Sequence, residues 1–518
     1  MTSSSTDALN KIARGSVIYI ISAVAALVLQ LFIRIIISQF GAVDYGIYSL
    51  ALVVINALMF VSMLGLNETS AILISHYRAH GEKSKLQGTL FVSIQVTSIA
   101  SIALSALLFL AAEYISINLF HAPELIPALR IFAVSLPFAS LIYIGCTIFR
   151  GFDRVGPTAY FQNISINLIF AIILLLAVSM NPDFTFVYYA YLAALVITAV
   201  QFILYAIRKL PAPFFTYVKE SDLSSRNEIL VKSLPLLGVT LLSMVYVSMG
   251  TFMIGYFKSP ADVGIYNAAY PLAQYIGQPL AALLIIYTPV AARLYARESM
   301  VELRRNYIVV TKWLVSITLP AALVLCMFPE AVINLFFGEE YVAAAPALCI
   351  LSAGIMFRNL CGPNASTLYV MGHARFVMWS VLITVLLDIV GNLVLLPLIG
   401  ITGSAVSYGV AMVMTHLLIT LRLYQVSRIQ PLSKNLAKPV LASIILALIG
   451  KFALSGILDW SWWMLVVLFI IYYALYGLVV VFTGSFDKED VALLLDIEKV
   501  MGMNLTPVKK ILSRFVKL

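Results

Sequence analysis

Fourteen stretches of about 20 apolar residues, the first at 15–38 and the last at 462–483, fill most of this 518-residue chain. A bilayer selects that length. Lipid offers a backbone amide no partner, so each stretch must pair its own peptide groups as a helix. Aliphatic, aromatic and Cys residues make up 62% of the chain and charged residues 11%, where a soluble domain carries about 25% charged. The expected fold is an all-α integral membrane protein with about 14 transmembrane helices. The first stretch is too long for a secretory leader, and no small-residue cleavage site follows it, so it reads as a retained span.

Charge gives the orientation. With the N-terminus inside, the inner segments hold 28 of the 33 Lys and Arg residues, and the outer connections hold one, Lys258. The other four, Arg34, Arg130, Arg358 and Lys451, lie in spans or at their edges. This asymmetry predicts a multi-pass protein of the cell membrane with both termini cytoplasmic. It also accounts for the +9 net charge, so no nucleic-acid partner is expected. Cys146, Cys326, Cys349 and Cys361 all fall in spans without metal-ligand spacing and read as small core residues. No metal or cofactor is expected.

The chain repeats itself. DYGIYSLA at 44–51 returns as DVGIYNAA at 262–269, 218 residues later. Pro127-Ala128-Leu129 returns as Pro346-Ala347-Leu348, and Gly151-Phe-Asp-Arg154 as Gly372-His-Ala-Arg375. Spans one to six and seven to twelve are therefore copies. Six is even, so both copies enter the membrane the same way, as parallel repeats. The domains expected are a six-span lobe at 1–207, a cytoplasmic linker at 208–229 and a second six-span lobe at 230–424. Two extra spans at 425–484 and a cytoplasmic amphipathic tail at 485–518 complete the chain. In the repeated phrase, Asp is expected to start a helix, Gly to permit a tight turn and Tyr to anchor at the membrane interface. That reading is architectural and assigns the phrase no binding role. In the tail, Asp487 is a candidate N-cap, and Thr506-Pro507 opens a helix with Val508, Ile511, Leu512 and Phe515 on one face. Lys509, Lys510, Arg514 and Lys517 surround that face, a pattern suited to the cytoplasmic membrane surface.

No long loop with paired carboxylates and no Gly-x-x-x-x-Gly-Lys-[Ser/Thr] phosphate loop occurs, which favours a carrier over an enzyme. Ionisable residues inside spans are costly and become site candidates. They are Arg358 and Asp388 near the middle of the tenth and eleventh spans, Arg34 in the first, Glu68 in the second and Arg130 at the edge of the fourth. By the repeat offsets, the three arginines align with Ala139, Phe252 and Cys349, so the cations are not duplicated. Unique cations on a duplicated scaffold point to an anionic head group as ligand, with Arg34, Arg358 and Arg130 as its binders. Arg358 and Asp388, at similar depth on consecutive spans, are a candidate ion pair. Asp388 and Glu68 are also the candidates for ion coupling. The other span polarity is neutral: Asn56, Gln95, Gln162, Asn163, Asn167, Gln274, Gln278, Asn359, Asn364 and Asn392. Pro271, Pro279 and Pro289 interrupt the eighth span.

Five stretches carry a resemblance: RIIISQFGAVDYGIYSLA (34–51), MIGYFKSPADVGIYNAAYPLA (253–273), LFFGEEYVAAAPALCILSAG (335–354), LLPLIGITGSAVSYG (395–409) and FDKEDVALLL (486–495). In this order and spacing the chain resembles the polysaccharide flippases of the multidrug/oligosaccharidyl-lipid/polysaccharide exporter superfamily, over nearly its whole length. The resemblance implies two six-helix lobes in a V around a cavity (a MATE-like fold), plus two peripheral helices. It implies carriage of a polyprenyl-phosphate- or pyrophosphate-linked glycan to the outer leaflet, with cavity cations receiving the pyrophosphate and Arg34 at a family arginine position. The protein is then expected to act as a monomer among membrane lipid, with glycan-assembly enzymes as candidate associates. The chain departs from many relatives at Gly250, where they carry Asp. The alternative within the superfamily is a MATE-type exporter of drugs or small organic cations, which favours membrane-embedded carboxylates.

Overall fold

A computed structural model describes residues 3–178, 183–209, 223–431, 434–454 and 462–482. Every secondary-structure element among them is helical. The chain divides into two compact units, Gly15–Gly264 and Ile265–Leu518, the second also taking Met1–Arg14.

The first unit contains most of α1 (Ser3–Ser38), then α2 (Ala42–Ser62), α3 (Leu66–Ala79), α4 (Lys83–Tyr114), α5 (Leu125–Gly151), α6 (Ile166–Val178), α7 (Thr185–Lys209) and α8 (Leu223–Phe257). Two π-helical stretches, Ile115–Leu119 and Thr158–Ser165, follow α4 and precede α6. The boundary falls within α9 (Pro260–Tyr275). The second unit continues with α10 (Gln278–Ala296), α11 (Met300–Met327), α12 (Pro329–Phe337), α13 (Ala345–Leu360), α14 (Asn364–Val370), α15 (Ala374–Ile399), α16 (Ile401–Ser427), α17 (Lys434–Leu454) and α18 (Trp462–Phe482).

Among the described residues eleven helices are long and apolar enough to cross a membrane. The pair Pro260–Ile285 and Tyr287–Ala296, bent by 43°, makes a twelfth if taken as one span. α17 and α18, each helical over 21 residues, occupy the positions of the thirteenth and fourteenth expected spans. The protein is thus a multi-pass membrane protein. The expected tail helices, including Asp487 and Thr506–Pro507, lie outside the described residues. Several expected spans are broken: α2 and α3 meet at Gly65, and α13 and α14 at the Cys361–Pro363 bend.

Leu110, Leu176 and Leu398 are more than half exposed, as lipid-facing side chains are, and small polar groups join the helices inside. Ser62 meets Ser140 at 3.0 Å, and Ser70 meets Ser93 at 2.7 Å. In the second unit Tyr287 meets Thr367 at 2.8 Å, and Thr384 bonds Thr415.

The repeated phrase does different work from the expected turn and anchor. Its Asp residues do sit in first helical turns, Asp44 in α2 and Asp262 in α9. Ser259 and Asp262 also bond reciprocally as a capping box. The tight turn before α2, however, is made by Gly41 at φ 106, whereas Gly46 lies inside the helix. A β-carbon on Gly46 would strike the Pro260 carbonyl, and one on Gly264 would strike the Ala42 carbonyl. The glycines let the two helix starts touch backbone to backbone, each against the other's equivalent residue. Tyr48 and Tyr266, expected at the interface, are instead only 4% and 1% exposed.

Candidate functional site

Within the first unit lies a polar cavity of about 290 Å³, built on α1, α2, α5, α6, α7 and the π-helix before α6. Arg34 on α1 lines it, and among the described residues it is the one charged group that does. The short Gln39–Gly41 turn joins α1 to α2, and the Arg34 guanidinium donates from Nη1 to Tyr45 Oη at 3.0 Å. Tyr45 is wholly buried, which holds its phenol in place for that bond.

Tyr48, one turn further on, enters the wall of the same cavity. Phe170 stacks on it at 6.3 Å, and Phe132 meets it edge-on at 6.0 Å. Phe132 in turn contacts Tyr191, a further wall residue, at 4.8 Å. Carboxamides complete the lining. Gln162 comes from the π-helix and donates to the Tyr143 carbonyl at 3.4 Å. Its neighbour Asn163 donates to Ser22 Oγ at 3.0 Å and so ties the π-helix to α1. π-Helical turns widen the helix and recur at functional sites. Asn167, Asn56 and Gln30 supply the other amides.

The remaining sequence candidates fall elsewhere. Arg130 is not a cavity residue: 44% exposed, it pairs with Glu113 at 3.5 Å and lies over the Phe109 ring. Glu68 is exposed in the first turn of α3, where it complements the helix dipole. In the second unit Arg358 lies on α13, packed so closely on Gly277 that a β-carbon there would strike its guanidinium. Its Nε is buried with no hydrogen-bond partner among the described residues.

The expected Arg358–Asp388 ion pair is not made. Asp388 is 1% exposed and accepts at Oδ1 from Ser407 Oγ at 2.8 Å and from Asn392 Nδ2 at 2.9 Å. Its Oδ2 has no partner among the described residues. The reason is helix order: α16 packs against both α13 and α15, and α13 and α15 do not pack against each other. Tyr266, the second copy's counterpart of Tyr48, has Asp388, Tyr408 and Ser404 as electrostatic neighbours. Each copy of the repeated tyrosine is therefore set beside a charged group of its own unit. Because Arg358 and Asp388 share no bond, the losses in Arg358→Leu and Asp388→Leu are expected to add in the double variant, within about 0.5 kcal/mol. A double variant that recovers wild-type melting would restore the pair.

Sequence reasoning named Arg34, Asn56, Gln162 and Asn167 without grouping them, and it passed over Gln30, Tyr48, Tyr143 and Tyr191. A signal was present in Gln30 and Arg34, four apart and so on one helix face.

The sequence profile of the family described as "Polysaccharide biosynthesis protein" matches residues 19–346, which include every cavity residue. The chain belongs to this polysaccharide biosynthesis family. One relative is the teichuronic acid biosynthesis protein TuaB of Bacillus subtilis, 32% identical over 124 residues. That alignment covers 24% of this chain and about a quarter of TuaB's length. Among solved structures, the inward closed lipid II flippase MurJ is similar with a TM-score of 0.69 at 16% identity, over 88% of this chain and 97% of that one. An inward-facing multidrug resistance MATE transporter of the MOP superfamily is similar at 0.66 and 14% identity, over 78% and 94%. These likenesses give this polysaccharide biosynthesis family member the fold that MurJ and MATE transporters share.

Proposed function

We propose that this protein is a flippase that carries a lipid-linked saccharide from the cytoplasmic to the outer leaflet by alternating access of its two repeats. The sign of the cavity carries the reading. Its one charge is the Arg34 guanidinium, the other polar liners are amides and phenols, and no carboxylate lines it among the described residues. An anion entering a low-dielectric space needs such a fixed cation. The family match and a relative in teichuronic acid biosynthesis support a glycan as cargo.

Arg34 is the principal binder in this proposal, and Arg358 is assigned as a second cation in the other unit. Arg130 has no part in the cavity. Asp388 is assigned to ion coupling, since one of its oxygens has no hydrogen-bond partner among the described residues. Asp388→Asn is expected to keep the fold, because an amide oxygen still accepts from Ser407, while transport loses its dependence on the driving ion. Ion-dependent transport at wild-type level in that variant would remove the assignment.

A second reading, export of small organic cations, is favoured by that same buried carboxylate. A deletion strain separates the two: accumulation of lipid-linked sugar in the inner leaflet supports the flippase, and drug sensitivity without such accumulation supports the exporter. Orientation is tested with single cysteines in intact cells. Cysteine at Lys83 or Arg304 is expected to be shielded from impermeant thiol reagent, and cysteine at Glu339 to label. The reverse pattern would invert the topology.

A further inference from the structure

We propose that the cytoplasmic rim of the second unit is a binding surface for the headgroups of anionic phospholipids, with arginines as the phosphate ligands. The inference concerns the bilayer around the protein and is independent of the cargo.

The two repeats end alike on the side that the charge asymmetry assigns to the cytoplasm. His80 and Glu82 donate from their amides to the carbonyls of His76 and Tyr77, and Arg297 and Ser299 do the same to those of Arg293 and Leu294. Asp153 and Gly372, both left-handed, close equivalent loops and stand at the same offset as Pro127 and Pro346. In the second unit one apolar cluster joins Leu294, Leu303, Phe376, Leu423 and Ile429, so the ends of α10, α11, α15 and α16 meet there. The arginines beside these residues ring a single patch: Arg293, Arg297, Arg304, Arg375, Arg422 and Arg428. All but the part-buried Arg422 are exposed.

The two rims differ in how their cations are used. In the first unit Arg78 pairs with Asp153 at 2.9 Å and Lys85 with Glu82 at 2.7 Å. Arg150 and Arg154 donate to the carbonyls of Asn67 and Lys209. In the second unit Gly372 takes the place of Asp153, and the acids present are Glu298 and Glu302. Among the described residues no side chain of the six arginines bonds an acid or a carbonyl. Residues 290–306, 361–376 and 420–431 contain no lysine. Topology is served by either cation, whereas arginine takes phosphoryl oxygens in pairs.

The guanidiniums are also held for that task. Arg422 lies over the Phe376 ring at 5.6 Å and Arg428 over Tyr424 at 5.3 Å. A ring beneath one face leaves the N–H edge open to phosphate. The Arg422 Nε is buried and has no hydrogen-bond partner among the described residues. Aromatic residues set the depth. Tyr295, Tyr369, Trp379 and Tyr424 are exposed at these same ends, and Tyr and Trp settle at the headgroup level. Arg375 and Trp379 are four apart on α15 and share a face. The rim therefore meets the phosphates of the cytoplasmic leaflet, the one that carries anionic lipid. An acidic soluble protein would need no such aromatic belt.

The test titrates the full chain, purified in a nonionic detergent, with dioctanoyl-phosphatidylglycerol or dioctanoyl-phosphatidylcholine and counts bound lipid by native mass spectrometry. The Kd for phosphatidylglycerol is expected to be at least about tenfold lower, since each basic side chain near an anionic lipid contributes about fivefold. Arg375→Gln combined with Arg422→Gln is expected to raise it to the phosphatidylcholine value. Arg293→Gln with Arg375→Gln, both exposed, carries the same expectation if the first pair fails to fold. Lys83→Gln with Arg208→Gln, an equal charge change in the first unit, is expected to leave the Kd unchanged. Equal Kd values for the two lipids, or an equal loss in the first-unit variant, would reduce the rim to a topological signal and overturn the inference. Displacement of the lipid by equimolar sodium phosphate, or by equimolar polyglutamate, would overturn it in favour of a free anion or an acidic protein.

Discussion

Replacing Arg34 with glutamate is expected to cut glycan export by at least about a hundredfold while the protein still reaches the membrane. A charge pair at about 4 Å and an effective dielectric near 20 is worth about 4 kcal/mol, and each 1.4 kcal/mol is about tenfold in rate. Glutamate both removes that attraction and sets a repulsion in its place, so the hundredfold figure already allows for partial solvation of the cavity. Arg34→Lys is expected to fall between, since it keeps the charge but loses the planar fork and the geometry of the bond to Tyr45. Arg130→Glu is the matching control. Its guanidinium is 44% exposed and paired with Glu113, and exposed pairs of this kind contribute about 0–1 kcal/mol. Export in a complemented deletion strain reads all three. Near-normal export by Arg34→Glu, or an equal loss in Arg130→Glu, would reduce Arg34 to a structural charge.

Gly46→Val is expected to abolish accumulation of folded protein, and Gly264→Val to do the same. Overpacking in a core costs about 1–3 kcal/mol when side chains can give way. At these two positions the obstacle is backbone, the Pro260 carbonyl for Gly46 and the Ala42 carbonyl for Gly264, so the helices themselves must separate. Gly46→Ala is expected to be damaging too, because the β-carbon alone makes the clash. Gly238→Ala on α8 is the control: a β-carbon there meets nothing within 4 Å, and alanine favours the helix by about 0.5–1 kcal/mol. Size-exclusion profiles of detergent-solubilised variants check this. A monodisperse Gly46→Val that melts like wild type would show that α2 and α9 do not touch as described.

These residues also mark how far the sequence could be read. The spans were legible because lipid imposes length and apolarity on each helix separately, with no tertiary information needed. The breaks at Gly65 and Cys361–Pro363 were not, since a helix of the same composition can run straight or bend. The repeat gave the register of the two copies but not the purpose of the repeated glycine. Gly46 looks like a turn residue in sequence, and only the backbone of a helix 218 positions away explains it. Tyr48 was read as an interface anchor because aromatic residues near a span end usually are. Its burial depends on Phe132 and Phe170, which no local pattern ties to it. Arg34 was legible as a costly intramembrane charge, and so was Asp388. Pairing Asp388 with Arg358 failed because adjacency in sequence was taken for adjacency in space, and α16 packs against both of their helices.

The most direct test of the flippase account is leaflet exchange in proteoliposomes. Purified protein is reconstituted with a fluorescent polyprenyl-pyrophosphate oligosaccharide in the inner leaflet, and outward arrival is followed with a membrane-impermeant quencher. The account predicts outward movement with wild-type protein and none beyond protein-free liposomes with Arg34→Glu. Wild-type liposomes that leave the lipid in place yet expel an organic cation such as ethidium would contradict it.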